Sequence, residues 1–272
     1  MSNASGPTAL VIRMAGTNCD RELCHAFELA GARIDLVHLD RLLADPDPIR
    51  RADLIGFPGG FSYGDDIASG RLFAVKLREG LYPELRDAAT RGVPMIGVCN
   101  GFQVMTQLGL LPGPPAGQPW PEHAPPRQSV SLTNNSGARF IDDWVPVHLE
   151  RPERCVWTEG LDPSMSADLL RLPIAHGEGR FVTDPDTLRM LEASGHVVMR
   201  YAENVNGSAA SIAGICDATG RLFGLMPHPD RYTRWSLHPF WTRLDPSVRE
   251  AEPPGLTMFR TAVEAARGVG AS

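Results

Sequence analysis

Residues 93–105 read Val-Pro-Met-Ile-Gly-Val-Cys-Asn-Gly-Phe-Gln-Val-Met, and this stretch decides the fold. An apolar strand runs through Gly97-x-Cys99-x-Gly101 directly into an apolar helical stretch, the pattern of a nucleophile elbow with cysteine at its apex. The two glycines leave room for the backbone segments that a tight turn brings together. Exposed N–H groups at the start of a helix favour thiolate over thiol. Cys99 is therefore the candidate nucleophile.

Short apolar segments alternate with helical patterns on both sides of this elbow. They predict strands at residues 9–13, 34–39, 54–57, 197–201, 211–215 and 222–226, with helices within residues 20–31 and 180–195. Alternation at this length favours a parallel sheet covered on both faces. We therefore expect an α/β fold, a three-layer sandwich with a central, mostly parallel sheet. The last two strands are expected to form a hairpin across residues 216–221, with Gly220 in the turn.

The composition is that of a globular protein, with 272 residues, 43% of them apolar, and no repeats. We expect a single domain over residues 1–272, with its core at about 9–235 and a C-terminal helix at about 256–267. Residues 111–127 and 252–255 are rich in Pro and Gly, and we interpret them as loops rather than linkers between domains.

Charge and cysteine usage exclude several classes of partner. The net charge of −6 is spread along the chain, so neither nucleic acid nor an anionic membrane is an expected partner. The polar start of the chain and the lack of a long apolar run predict a soluble, cytoplasmic protein. The five cysteines are widely spaced, which fits neither a disulfide framework nor a zinc site, and no metal is expected.

A second catalytic candidate follows the predicted strand at 222–226. His228 stands just beyond the strand and could carry the proton for a cysteine nucleophile, while Asp230 could hold one ring nitrogen and fix the tautomer. The His-Pro-Asp string alone would also fit a turn in which Asp230 caps a helix. Donors for an oxyanion could come from the backbone N–H of Asn100 and from the Gly59-Gly60 turn, where bare backbone can approach a substrate.

These residues resemble the class I, or triad, glutamine amidotransferases. Within that class the chain is similar to the glutaminase subunits of phosphoribosylformylglycinamidine synthases, enzymes of purine biosynthesis, from about residue 9 to residue 231. Four further segments carry the resemblance: Gly-Thr-Asn-Cys-Asp at 16–20; Gly-Gly-Phe-Ser-Tyr-Gly-Asp-Asp at 59–66 with Gly-Arg at 70–71; Ala-His-Gly-Glu-Gly-Arg-Phe at 175–181; and Asn-Gly-Ser at 206–208 with Ile-Ala-Gly-Ile at 212–215.

The resemblance implies a division of labour between subunits. Cys99 would attack the side-chain amide of glutamine, His228 would protonate the departing ammonia, and water would cleave the glutamyl thioester. Gly60 and Asn100 would form the oxyanion hole, and Gln103 would line the glutamine pocket. The ammonia would pass to a separate synthetase subunit, and a small third subunit could bridge the complex. This chain needs no cofactor of its own, because ATP and magnesium are expected in the synthetase.

Other residues of the resembling segments have less defined roles. The family has His-Pro-Glu where this chain has Asp230, whose carboxylate reaches about 1.3 Å less far, so its orienting role is in question. We place His176, Glu178 and Arg180 at the pocket rim or at a subunit contact, although a structural role for His176 is equally consistent with the pattern. Asp65 and Asp66 are interpreted as solvated or helix-capping acids rather than metal ligands. Cys19 and Cys24 are expected in the core.

Two alternative functions remain open at this point. A stand-alone cysteine amidohydrolase could use the same elbow on a peptide or a small amide, since spacing alone does not define pocket selectivity. A catalytically idle scaffold of the synthetase complex would be consistent with the change from Glu to Asp230, although intact Cys99 and His228 favour an enzyme. The chain has no Gly-rich ATP loop of the P-loop type, so an amidation reaction requires a partner.

Overall fold

The computed structural model describes residues 6–65 and 69–269. The strands in this part of the chain are β1 (Thr8–Arg13), β2 (Arg33–His38), β3 (Leu54–Phe57), β4 (Met95–Val98), β5 (Val130–Thr133), β6 (Ile141–Leu149), β7 (Arg171–His176), β8 (Arg180–Thr183), β9 (Val197–Tyr201), β10 (Ile212–Cys216) and β11 (Leu222–Leu225). The helices are α1 (Asp20–Leu29), α2 (Leu39–Ala44), α3 (Asp47–Arg51), α4 (Arg71–Thr90), α5 (Asn100–Leu108), α6 (Pro185–Ala193) and α7 (Pro254–Val269).

Nine of these strands form the central sheet, in the order β2-β1-β3-β4-β11-β10-β9-β6-β7. Strands β2, β1, β3, β4 and β11 are parallel neighbours. Every residue of β3, β4 and β11 is buried, as expected for parallel strands that are covered on both faces. The expected α/β class is confirmed. Because ligands bind beyond the carboxyl ends of such strands, the site belongs at the edge where β1, β3, β4 and β11 end.

The other half of the sheet is antiparallel and extends from β11 through β10, β9 and β6 to β7. The predicted hairpin between β10 and β11 is confirmed, and Gly220 in its turn has a φ of +71°. Strands β6 and β7 were not predicted. Strands β5 and β8, which form a separate two-stranded sheet, were not predicted either. Residues 180–195 therefore begin with strand β8 and become helical only at Pro185.

Helices cover both faces of the parallel strands. Gly56 faces α1, because a Cβ at this position would lie 2.9 Å from the Leu23 side chain. The next residue, Phe57, points to the opposite face, where its ring meets the ring of Phe73 from α4. Helices α1 and α7 pack together on the first face, and α4 packs against α5 on the second. This arrangement is the three-layer sandwich expected from the sequence.

The predicted loop at residues 111–127 contains no helix or strand, as expected. The C-terminal helix is also present, but it begins at Pro254, inside the predicted loop at 252–255, because proline is well accommodated in the first turn of a helix. Among the described residues, no helix has the length and apolar character needed to cross a bilayer.

Candidate active site

Cys99 stands at the apex of a strained turn between β4 and α5. Its backbone has φ 52° and ψ −107°, a conformation that residues with a side chain rarely adopt. A Cβ on Gly97 would lie 2.6 Å from the carbonyl oxygen of Gly101, and one on Gly101 would lie 1.9 Å from that of Phe57. The structure therefore confirms that this elbow requires both glycines, as the sequence predicted.

His228 and Asp230 come from the segment that follows β11, the strand beside β4. The His228 side chain is 1% exposed and that of Asp230 is fully buried, with 3.4 Å between His228 Nδ1 and Asp230 Oδ1. This separation exceeds the roughly 2.7–2.9 Å of a charge-assisted hydrogen bond, and neither the carboxylate oxygens nor His228 Nδ1 makes a hydrogen bond within the described chain. Asp230, whose side chain is one methylene shorter than glutamate, thus forms an ion pair with His228, but the separation of the two groups is longer than a hydrogen bond.

His228 is held in its protonated form by its neighbours. Burial alone lowers the pKa of His228, but the Asp230 carboxylate and, to a smaller extent, the nearby Cys99 sulfur outweigh burial and raise this pKa to about 9. At neutral pH the imidazole is therefore an imidazolium next to the sulfur. An imidazolium in this place stabilises a thiolate and can donate a proton to a leaving group.

This electrostatic balance predicts the titration of His228. We expect its ring signals in NMR spectra to titrate near pH 9 in the wild-type chain and at lower pH in Asp230→Asn, because that variant loses the negative partner. Since the pKa is raised on folding, the stability from this proton is fully present below about pH 6.5 and is lost as pH rises through about 9. A wild-type midpoint below about 6.5 would contradict this charge assignment.

Two backbone N–H groups are free to face an oxyanion. Asn100 is the first residue of α5, so its N–H has no acceptor within the helix. The N–H of Gly60 donates to no backbone carbonyl of the described residues. Gly59 lies between the catalytic candidates, because a Cβ there would be 2.7 Å from His228 Cε1 and 3.4 Å from Cys99 Cβ. The predicted Gly-Gly turn therefore lies beside Cys99 and His228.

A cavity of about 60 Å³ adjoins the Cys99 side chain. Ligand pockets usually occupy at least about 300 Å³, so the entrance has to widen before a substrate enters. Phe61 and Phe140 line this cavity, and their rings stack with centroids 6.4 Å apart. Both rings remain largely exposed, at 45% and 54%. They are the groups at the rim that can move with the smallest loss of packing.

Sequence reasoning missed three polar residues of this cavity, Asn18, Cys19 and Arg231. Cys19 is buried, as expected, but its sulfur lies at the cavity and accepts a hydrogen bond of 3.1 Å from Arg231. Burial raises the pKa of the Cys19 thiol far above its usual range, so it is a neutral thiol rather than a second nucleophile. Arg231 also pairs with Glu22 at 3.2 Å. The sequence signals for two of them were available: Cys19 follows β1, and Arg231 directly follows His-Pro-Asp.

Two predicted pocket residues are buried elsewhere. Gln103 does not line the cavity, because its amide donates to the carbonyl oxygen of Glu178 at 2.6 Å and accepts from the Asn100 side chain. His176 is 3% exposed rather than at a rim, and its Nδ1 lies 3.1 Å from the Asn135 side-chain oxygen. Burial and the nearby His228 lower the pKa of His176 to about 4, so it is a neutral structural residue at neutral pH.

The remaining candidates lie outside this cavity. The Glu178 carboxylate accepts from the backbone N–H of Ser69. Arg180 lines a different cavity, and its place at the rim of the active site or at a subunit contact stays a prediction. Cys24 is buried in the core as predicted. The Asp65 side chain and Asp66 lie outside what the structure describes, and elsewhere in the described chain no three His, Cys, Asp or Glu side chains form a group that could hold a metal ion.

The fold and this geometry define a class of protein, an α/β enzyme with a cysteine elbow, a histidine and an acid at the carboxyl edge of a parallel sheet. The family model for the CobB/CobQ-like glutamine amidotransferase domain matches residues 6–264. A relative from Dehalococcoides mccartyi, the PurQ subunit of phosphoribosylformylglycinamidine synthase, is 38% identical over 267 residues, covering 96% of this chain and 98% of that protein. The PurQ subunit of Methanococcus maripaludis strain S2 is 40% identical over 239 residues, 83% of this chain and 82% of that protein.

A solved structure agrees with these relatives. A chain of the PurLQS structure from Thermotoga maritima superposes with a TM-score of 0.71 at 33% identity, covering 96% of this chain and 99% of that chain. The chain therefore belongs to the CobB/CobQ-like glutamine amidotransferases and, within them, to the family of the PurQ subunits of phosphoribosylformylglycinamidine synthase.

Proposed function

We propose that this chain uses Cys99, His228 and Asp230 to hydrolyse glutamine and that it delivers the ammonia to a synthetase subunit. Family membership makes it a glutaminase subunit of phosphoribosylformylglycinamidine synthase, in purine biosynthesis. The observation that carries the residue assignment is that the strained Cys99 lines the same cavity as the buried His228, whose ring is paired with Asp230.

The first half of the reaction forms a thioester. The Cys99 thiolate attacks the side-chain amide carbon of glutamine, and the negative charge that develops on the carbonyl oxygen is met by the N–H groups of Gly60 and Asn100. His228, present as imidazolium, donates its proton to the amide nitrogen as the C–N bond breaks. Ammonia leaves, the glutamyl group stays on the Cys99 sulfur, and the imidazole is now neutral.

The second half regenerates the enzyme. Neutral His228 takes a proton from a water molecule, whose oxygen attacks the thioester carbonyl in the same oxyanion site. The C–S bond breaks, glutamate leaves, and the Cys99 thiolate and the His228 imidazolium are restored. Asp230 stabilises the imidazolium at both ends of this cycle and holds the ring in one orientation.

Substitutions of Asp230 test its role as orienter. We expect Asp230→Asn to lower glutaminase activity at least about tenfold, because the imidazolium loses its negative partner. Asp230→Glu should keep activity close to wild type, because the long contact of 3.4 Å to His228 leaves distance for one more methylene to close. The measurement is glutamate release by the complex with its synthetase. Equal activity in all three proteins would remove Asp230 from the mechanism.

The synthetase partner follows from the chemistry of ammonia. At neutral pH free ammonia is mostly ammonium, a poor nucleophile, so the two active sites gain from docking with the path closed to water. The relatives are named as subunits of phosphoribosylformylglycinamidine synthase, and the related solved chain belongs to PurLQS, which supports a synthetase and a further small subunit as partners. ATP and magnesium act in the synthetase in this proposal, and the complex is cytoplasmic.

Reconstitution tests this function. The chain is mixed with the cognate synthetase, and glutamate release is followed with and without formylglycinamide ribonucleotide and ATP. We expect low activity of the isolated chain, where the cavity beside Cys99 is only about 60 Å³, and a large increase in the complete mixture. Fast glutamine hydrolysis without the synthetase would contradict the coupling of the two sites.

Chemical labelling separates this function from that of a stand-alone amidohydrolase. A diazo ketone analogue of glutamine should alkylate Cys99, because the analogue presents its electrophilic carbon where the amide carbon of glutamine is attacked. Peptide mapping should find no label on Cys19, whose thiol is kept neutral by burial. An unlabelled Cys99 in the active complex would favour an amide substrate other than glutamine.

A further inference from the structure

A second cavity, of about 500 Å³, lies between α4, α5 and the small sheet formed by β5 and β8. Three arginines line it, two from one helix and one from a strand. Arg71 and Arg78 come from α4, and Arg180 opens β8. The cavity shares none of its lining residues with the cavity beside Cys99. We name it the arginine cavity.

The positive charge of the arginine cavity is not balanced by the described chain. No described carboxylate oxygen lies within 4 Å of a guanidinium nitrogen of Arg71, Arg78 or Arg180. Arg78 donates to the carbonyl oxygen of Gln107, and Arg71 makes no hydrogen bond to another described residue. The Arg180 Nε is buried and has no hydrogen-bond partner in the described chain. In a protein of net charge −6, three such guanidiniums at one concavity are conspicuous.

The rest of the lining combines hydrogen-bonding groups with apolar surface. Gln107, Ser131 and Thr133 offer amide and hydroxyl groups, while Val75 and Leu132 present aliphatic carbon. Guanidinium groups bind phosphate through paired N–H donors, and apolar surface suits a ring or a sugar face. The volume of about 500 Å³ lies within the range of about 300–1,000 Å³ of small-molecule sites. We propose that the arginine cavity binds a phosphate monoester of nucleotide size.

The shape of the cavity favours a small molecule over an acidic segment of the partner. Small-molecule sites are concave, and the three arginines line one cavity, in which the Nε of Arg180 is buried while Arg71 and Arg78 are exposed. The buried Nε of Arg180 points to the same conclusion, because a partner side chain at the rim would leave this nitrogen unpaired. An acidic partner segment is therefore the competing occupant that the experiment has to separate.

Calorimetric titration of the intact chain tests this proposal, with AMP and ribose 5-phosphate as the phosphate monoesters and adenosine as the probe without phosphate. We expect saturable binding of one AMP per chain, weakened by added salt, and no saturable binding of adenosine. In Arg71→Gln/Arg78→Gln, two solvent-facing substitutions on α4, the dissociation constant for AMP should rise at least about tenfold. The variant Arg180→Lys, which keeps the charge but loses the paired donors, should also weaken binding.

The control is Arg21→Gln/Arg189→Gln, which removes the same charge at two exposed positions outside the arginine cavity and should bind AMP like the wild-type chain. Absence of saturable binding by both AMP and ribose 5-phosphate would overturn the proposal. Equal weakening in the control would also overturn it, because general charge would then explain binding. Loss of assembly with the synthetase in Arg71→Gln/Arg78→Gln, without any AMP binding by wild type, would reassign the surface to the partner.

Discussion

We expect Cys99→Ala to abolish glutamine-dependent turnover of the assembled enzyme, with a loss of at least about a thousandfold, because no other group can form the thioester. The neighbouring thiol of Cys19 cannot substitute for it, since burial keeps that sulfur protonated. Alanine leaves the backbone of the elbow as it is, so the fold and the docking surface should be preserved. The measurement is amidine formation with glutamine as the nitrogen source.

The matched measurement replaces glutamine with ammonia. Ammonia reaches the synthetase without help from Cys99, so ammonia-dependent turnover and assembly of the Cys99→Ala complex should match wild type. This pair of assays also tests the alternative of an idle scaffold. If Cys99→Ala retained glutamine-dependent turnover, the chain would be a scaffold and the proposed mechanism would be wrong.

The second large effect is expected from a single methyl group at Gly59. In Gly59→Ala the new Cβ would lie 2.7 Å from His228 Cε1, closer than atoms of this kind approach in proteins, so the imidazole has to turn away from Cys99. The ring is 1% exposed and has little space to move within the core. Because proton transfer depends on this geometry, glutaminase activity should fall at least about a hundredfold.

Gly137→Ala is the control for this substitution, because Gly137 has an exposed backbone with no atom within 4 Å of its added Cβ. Activity should match wild type, and the melting temperature, followed by circular dichroism, should change little. The melting temperature of Gly59→Ala separates a local displacement of His228 from unfolding. Wild-type activity in a folded Gly59→Ala would show that the turn is not adjacent to the working histidine.

The parallel strands were visible in the sequence, whereas the antiparallel pair β6 and β7 was not. Strand β4 is an uninterrupted apolar run, and its pattern alone predicts it. Strand β6 begins Ile-Asp-Asp-Trp and contains Pro146, and β7 contains Pro173, so both interrupt the usual strand pattern. Pro173 lies on β7, at the edge of the sheet, and Pro146 lies where the pairing of β6 passes from β7 to β9. Such pairing depends on tertiary contacts that no local window contains.

The site was predictable where chemistry depends on neighbours in sequence. Cys99 between two glycines and His228 after an apolar strand are local patterns. For His176 the sequence left a rim position, a subunit contact and a structural role open, because the glycines that follow it suggested a loop, while the residue itself ends a buried strand. Arg231 was missed because its approach to Cys19 joins positions 212 residues apart, and the arginine cavity joins Arg180 to α4 in the same way. Spatial convergence of this kind requires the fold.

The backbone of Cys99, with φ 52° and ψ −107°, has a consequence for how such a chain can evolve. Glycine would occupy this corner more comfortably than any residue with a side chain, and strain of this type costs about 1–3 kcal/mol. Selection for thermal stability alone would therefore replace Cys99 with glycine. The active protein is therefore less stable than an inactive variant with glycine at position 99. A more thermostable active variant has to gain that stability from substitutions away from Cys99.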